Sequence, residues 1–252
     1  MAYSLIASAK SDHYSCLNCL TRKYCLARAV SGEELSLLQA GIGRQQVLKK
    51  GEHLFYQGEK LQSLAIVRSG SVKTYYVADD GVHQITGFHF PGALLGANSF
   101  DSGAQIVCAE VLETTSVCVL DCEAFDRLCQ ELPSFRYEFY RAVGREITHD
   151  KKHMLVVGKF HAEQRLADFI LRIAGAKQSQ GLEHREFTLT MSKTDIANYL
   201  GIALETMSRL FARFQVEGFI HVKNRVIRIL NPDGLQTLAG AGYRALPLAK
   251  SA

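Results

Sequence analysis

Three cysteines fall within ten residues near the start of the chain, Cys16, Cys19 and Cys25, in the spacing C-x2-C-x5-C. Thiolates bind soft metals, and a two-residue gap lets one loop deliver two sulfurs to one centre. Short spacing of this type serves zinc and iron–sulfur centres alike. Arg22, Lys23 and Arg28 interleave the cysteines. Cations there favour thiolate and offset the negative charge gathered around a metal. Three ligands leave a tetrahedral site open, so a distant fourth is required. Cys108, Cys118, Cys122 and Cys129 are all candidates. A cysteine at a strand end is better placed than one in mid-strand, which favours Cys118 or Cys122. Two other readings compete: plain reduced thiols, and a thiol-redox enzyme using Cys16 and Cys19. The enzyme reading lacks the βαβ context such motifs sit in. Seven cysteines is an odd number. The opening MAYSLIASAKSDHYSC has no charged-then-apolar export layout, so no disulfide framework is expected, and a cytoplasmic address is.

A second constellation lies at Glu205, Ser208 and Arg209, which share one face of a helix at i, i+3 and i+4. A glutamate accepts from the cytosine amino group, and an arginine forks onto guanine O6 and N7. Glutamate four residues before arginine is also an ordinary helix-stabilising pair, so the surroundings must decide. Ahead of it, Ser192 and Asp195 form a capping box for a first helix whose apolar face is Ile196, Ala197, Tyr199 and Leu200. Gly201 supplies a sharp turn. Leu204, Met207, Leu210, Phe211 and Phe214 then recur at helical spacing and should pack inward. A basic hairpin at 221–228, with Lys223, Arg225 and Arg228, suits a wing lying along phosphates. Thr206 and Arg213 complete the expected DNA-facing set. The pattern is a winged helix-turn-helix reading double-stranded DNA.

The remaining elements must position these two sites. The 252 residues suffice for one large or two modest domains, and no apolar run reaches the ~18–20 residues of a membrane span. The net charge is +4; residues 159–228 hold eleven Lys and Arg against seven Asp and Glu, so the whole surplus lies there, where a polyanion should dock. Residues 1–30 read as a loop-like cysteine segment, followed by a short helix at 31–40 capped by Ser31. From 47 to 120, short β-rich runs at 64–67, 72–77, 84–90, 105–111 and 116–120 alternate with glycine turns, predicting an antiparallel domain of about eight strands. After Pro133 a long helix should run to about 157. Its seam, Arg136, Tyr140, Val143, Ile147, Asp150, Met154 and Val157, has heptad spacing. It serves either packing within one chain or, preferably, a two-chain coiled coil. A second stripe, Phe135, Phe139 and Ala142, should pack on the β domain. In a symmetric pair the two Asp150 carboxylates would face each other and repel; otherwise Asp150 simply faces solvent. Ile147 and Asp150 are therefore the expected dimer switch. Gly158 is a candidate hinge, a helix is expected at 161–174, GAKQSQG reads as a loop, and residues beyond 231 read as a tail ending in a mobile LPLAKSA.

The cysteine trio, the stretch ITGFH at 85–89, LETTSVC at 112–118, and ANYLG at 197–201 leading to ETMSRL closely resemble the oxygen-responsive FNR branch of the CRP/FNR transcription regulators. The match spans nearly the whole chain. It implies an α+β fold: an N-terminal antiparallel β-roll (a cyclic-nucleotide-binding-like jelly roll) at 31–132, a dimerisation helix at 133–158, and a C-terminal winged helix-turn-helix at 159–235, with a tail at 236–252. It implies an oxygen-labile 4Fe–4S cluster held by Cys16, Cys19, Cys25 and Cys118, leaving Cys108, Cys122 and Cys129 as structural thiols. It further implies base reading of a TTGAT-type inverted repeat by Glu205, Ser208 and Arg209, a homodimer, and recruitment of RNA polymerase. Where the cyclic-nucleotide branch carries a ribose-binding Glu and a phosphate-binding Arg, this chain has Ala97 and Val107, so no cyclic nucleotide is expected. Ala203 stands where the family places a capping Ser or Thr, which forfeits a cap worth roughly 0.5–2 kcal/mol. The expectation is a regulator of the aerobic/anaerobic switch and not an enzyme; structural zinc in the four-cysteine site is the alternative.

Overall fold

The computed structural model describes residues 15–240. Sequence readings on 1–14 and on the LPLAKSA end lie outside those residues. Three 3-10 turns, Cys16–Asn18, Leu20–Tyr24 and Leu26–Ala29, carry the cysteine segment. Helix α1 (Gly32–Gly41) follows, then eight strands: β1 (Arg44–Leu48), β2 (His53–Phe55), β3 (Ser63–Ser69), β4 (Val72–Val77), β5 (His83–His89), β6 (Leu94–Leu95), β7 (Cys108–Val111) and β8 (Thr115–Asp121). They form two antiparallel four-stranded sheets, ordered β1-β8-β3-β6 and β2-β7-β4-β5. Helices α2 (Cys122–Glu131) and α3 (Pro133–Lys159) come next. The remainder is α4 (Ala162–Ser179), β9 (Glu186–Thr188), α5 (Lys193–Leu200), α6 (Leu204–Val216), the hairpin β10 (Ile220–Lys223) and β11 (Val226–Ile229), and α7 (Pro232–Ala239). The architecture is the expected β-roll, long helix and winged helix-turn-helix.

The period-2 alternation of β3 and β8 decides where the cysteine segment packs. Ala65, Val67, Val117 and Val119 point into the core between the two sheets. Leu64, Ile66 and Leu120 point the other way, into a second core with Leu26, Ala27 and Val30 of the cysteine segment, α1, α2 and Phe135 of α3. Cys118 shares that outer face and packs against this second core. Alternation thus hands one sheet to two cores, and the cysteine segment covers the face that carries Cys118. The cover is close. A Cβ on Gly92, at φ +95°, would meet the Tyr24 carbonyl oxygen at 2.7 Å, so only glycine fits there.

Several expectations are corrected. Ser31 occupies the N-cap position of α1 but its side chain makes no capping bond. The strand expected at 105–111 begins only at Cys108. A separate helix, α2, precedes Pro133; its buried stripe of Ala124, Phe125 and Leu128 is too short to read as a helix against the neighbouring strand. Gly158 lies within α3, and the chain turns instead at Phe160, which is extended at φ −95° and ψ 148°. GAKQS continues α4 to Ser179, because Ile173 and Ala174 are buried and hold the helix past its weak glycine. The expected tail forms α7: Asn231 accepts from the Gly234 N–H as a cap, Pro232 starts the helix, and Leu235 and Ala239 are buried. Among the described residues no helix is long and apolar enough to cross a membrane.

Candidate metal centre and nucleic-acid interface

The four implied ligands come together. Cys16, Cys19, Cys25 and Cys118 are near enough that Cys19 acts electrostatically on Cys16, that Cys16, Cys19 and Cys118 act on Cys25, and that Cys16 and Cys19 act on Cys118. Cys122 and Cys129 are raised by burial and by Asp126, not by the trio. Cys118 is the middle residue of the seven in β8, so the argument for a strand-end cysteine fails even though it named this residue. What brings Cys118 to the trio is the outward side of the alternation, not the end of the strand. All seven cysteines are free thiols.

Local bonds fix the segment that carries the trio. The Cys16 N–H and the Ser15 hydroxyl both donate to Gln39 Oε1, at 3.1 and 3.2 Å. The Thr21 hydroxyl donates to the Arg68 carbonyl at 2.7 Å, and Arg22 donates to the Val30 carbonyl at 2.8 Å. Arg68 in turn donates to Gln45 Oε1 at 2.7 Å, and Gln45 reaches toward the Cys118 sulfur. Gln39, Gln45 and Arg68 carry no local sequence signal; sheet register brings Gln45 of β1 and Arg68 of β3 here, and Gln39 arrives on α1.

Burial dominates the thiol chemistry. It pushes Cys25 up to about 12 and Cys118 up to about 11, and the neighbouring sulfurs add to this. Cys16 is raised for the same reasons, with Arg68 and Arg22 pulling only partly back. Cys25 and Cys118 therefore hold their protons at neutral pH, and a metal centre would have to displace them. This is the opposite of an activated redox cysteine. The donor set fits a cluster: four soft, half-buried ligands with Arg22 and Arg68 beside them. Among the described residues no three His, Cys, Asp or Glu side chains stand close enough to close on a single ion.

The winged domain forms as expected at its turns. Ser192 Oγ accepts from the Asp195 N–H at 3.0 Å, and Asp195 Oδ2 accepts from the Ser192 N–H at 2.8 Å. Gly201 ends α5 in the left-handed region at φ 60°. Met207, Leu210, Phe211 and Phe214 are buried, whereas Leu204 is 42 % exposed, because it sits in the first turn of α6 before the helix dips into the core. Ala203 is the N-cap of α6, without a side-chain cap bond.

Glu205, Ser208 and Arg209 are exposed, and Thr206 is half-buried beside them. The ordinary helix pair is not made: Arg213 forms an i,i+4 pair with Glu217 on this helix, but Glu205 and Arg209 form none among the described residues. Arg213 also pairs with Glu163 at 2.7 Å, so its guanidinium is committed within the protein. In the wing, Asn224 and Arg225 take φ of 50° and 68°, the paired positive values of a tight hairpin turn. Arg225 donates to the Thr190 carbonyl at 2.8 Å, and Arg228 pairs with Glu186. Lys223 stays exposed at the hairpin tip.

Comparison with known proteins agrees with this geometry. Residues 164–238 match the Crp-like helix-turn-helix domain, and residues 45–132 match the cyclic nucleotide-binding domain. The chain is 40% identical over 225 residues to the transcriptional activator protein anr of Pseudomonas aeruginosa, covering 89% of this chain and 92% of that one. It is likewise 40% identical over 225 residues to the fumarate and nitrate reduction regulatory protein of Escherichia coli, covering 89% and 90%. FixK2 from Bradyrhizobium japonicum superimposes with a TM-score of 0.71 at 26% identity, covering 79% of this chain and 98% of that one. The Pseudomonas and Escherichia relatives are regulators of transcription rather than enzymes, and the chain belongs to the CRP/FNR family of DNA-binding transcription regulators.

Proposed function

We propose that this regulator senses oxygen through a 4Fe–4S cluster held by Cys16, Cys19, Cys25 and Cys118, and that the cluster governs pairing of two chains on DNA. The observation that carries the reading is the convergence of three sulfurs from one short segment with one from β8. When bound, the cluster supplies iron–sulfide bonds that oxygen attacks. The residues of the chain do the rest. The segment must order to present three sulfurs, and once ordered it buries Leu26, Ala27 and Val30 against Phe135 of α3.

Pairing uses the seam of α3. Tyr140, Ile147 and Met154 recur at i, i+7 and i+14 and are 61 %, 48 % and 73 % exposed, an apolar stripe that one chain leaves uncovered. Asp150 lies exposed on the same seam. Paired chains would bring two Asp150 carboxylates together, and that repulsion keeps pairing weak until the sensing end braces the helix. The dimer then presents two α6 helices to a TTGAT-type inverted repeat, with Glu205, Ser208 and Arg209 on base edges and Lys223 on phosphate. RNA polymerase and a cytoplasmic setting follow from the same reading. Cyclic nucleotide is not part of it, since Val107 is buried and Ala97 packs in the outer core, with no charge at either place for ribose or phosphate.

The test is oxygen-free purification, a visible spectrum with iron and sulfide analysis, and a gel shift on an inverted-repeat operator before and after air. A coloured protein that loses colour and operator affinity together supports the reading. A colourless, zinc-loaded protein that binds DNA equally in air ends it.

A further inference from the structure

Glu138 is the buried carboxylate of α3 that neither the seam nor the DNA interface uses. Its side chain is 3 % exposed, and its Oε1 accepts from Arg28 Nε at 2.9 Å and from Arg145 Nη2 at 2.8 Å. The two arginines come from different places. Arg145 lies seven residues along the same helix. Arg28 lies in the last turn of the cysteine segment, three residues after Cys25. At about 100° per residue, Glu138 and Arg145 share a face turned roughly 180° from the seam of Tyr140, Ile147 and Met154. Arg28 therefore grips α3 from behind the pairing surface, beside the apolar contact of Leu26, Ala27 and Val30 with Phe135.

A carboxylate this buried needs its partners. Losing one leaves a charge in low dielectric with a single, half-exposed arginine, and the helix face must then open to water. Arg28 can stay only while the segment that carries it is folded. We infer that Arg28 is the positioning residue through which the cysteine segment holds α3 in its pairing conformation, with Glu138 as its anchor and Arg145 as a neutralising partner only. The inference rests on the cluster reading above. It adds the physical link which that reading leaves open, between sulfur ligation and the seam.

Three variants test it: Arg28→Met, Arg28→Lys and Arg145→Met, each reconstituted without oxygen from ferrous iron and sulfide. Sedimentation gives the dimer association constant, and hydrogen exchange reports on residues 133–145. Arg28→Met should take up the wild-type amount of iron and sulfide, with the same visible spectrum. Its association constant should nevertheless fall roughly tenfold, within the range for coupled neighbours, and exchange in 133–145 should speed up. Arg28→Lys should recover most of the loss, and Arg145→Met should pair nearly as wild type. Without iron and sulfide, Arg28→Met and wild type should pair equally weakly. A loaded Arg28→Met protein that pairs like wild type overturns the link alone. Equal losses in Arg28→Met and Arg145→Met also overturn it, since that is what mere burial of charge would give. Wild-type protein that pairs equally with and without iron and sulfide overturns the cluster reading, and the link with it.

Discussion

Asn198 and Ile85 meet across the boundary between the winged domain and the β-roll: the Ile85 N–H donates to Asn198 Oδ1 at 2.6 Å. The Asn198 amide donates in turn to the His83 carbonyl at 2.8 Å, and Gln84 Nε2 donates to the Asn198 carbonyl at 3.0 Å. Lys73 of β4 adds an ion pair to Asp195 at 3.2 Å, so the residue that caps α5 also ties it to the sheet. Burial pushes the Asp195 carboxyl up, but hydrogen bonds from Ser192 and the Lys73 ammonium outweigh it and leave it low. The stretches ITGFH and ANYLG, far apart in sequence, are thus the two halves of one contact. Asn198→Ala should loosen the winged domain without unfolding it. Faster hydrogen exchange in 83–86 and 193–200, with the far-ultraviolet spectrum unchanged, is the expected result.

Much of this molecule was readable from residue types alone, and the failures share a cause. The capping box at Ser192, the Gly201 turn and the buried stripe of α6 are local features, set by spacing over a few residues. The first turn of α6 misled, because Leu204 obeys the helical period but lies beyond the edge of the core. GAKQSQG reads as a loop and the residues beyond 231 as a tail because small residues such as Gly175 and Ala239 are weak helix signals until packing decides. The strand-end argument names Cys118 or Cys122 on a wrong premise, since Cys118 is mid-strand and which face of β8 meets the cysteine segment depends on sheet order. Glu138 with Arg28 was invisible for the same reason: the pair spans 110 residues.

Replacing Asp150 with Ala should shift the monomer–dimer balance toward the dimer even without iron and sulfide. Sedimentation at several protein concentrations measures it. An unchanged balance would place Asp150 outside the pairing surface.

Glu146 lies one turn before Asp150. Burial, helped by the Asp150 charge, pushes its carboxyl up to about 7 from an ordinary 4.5. The folded chain therefore holds a proton there that the unfolded chain releases between those values. The stability it contributes is full below pH 4.5 and lost as pH rises through 7. Glu146→Gln should raise the thermal midpoint at pH 8, by roughly 2–4 °C for each kcal/mol recovered, and leave it unchanged near pH 4.5. Melts at the two pH values decide it.

On DNA, the recognition helix and the wing should fail differently. Glu205→Ala should relax the preference at one base pair and cost about 1–3 kcal/mol on the best operator. Lys223→Ala should weaken all sequences alike and flatten the salt dependence by about one counterion. Arg225 is tethered to Thr190 in the left-handed turn, so its loss should disorder the wing and resemble the Lys223 change with a larger effect. Binding isotherms over a salt series on matched and mismatched operators separate the cases.

The most direct measurement replaces Cys118 with serine and follows pairing and operator binding of the protein made without oxygen, beside a Cys108→Ser control. The Cys118→Ser protein should lack the visible chromophore, sediment as a monomer and leave the operator unshifted, while the control behaves as wild type. A Cys118→Ser protein that pairs and shifts its operator as wild type does would contradict the account.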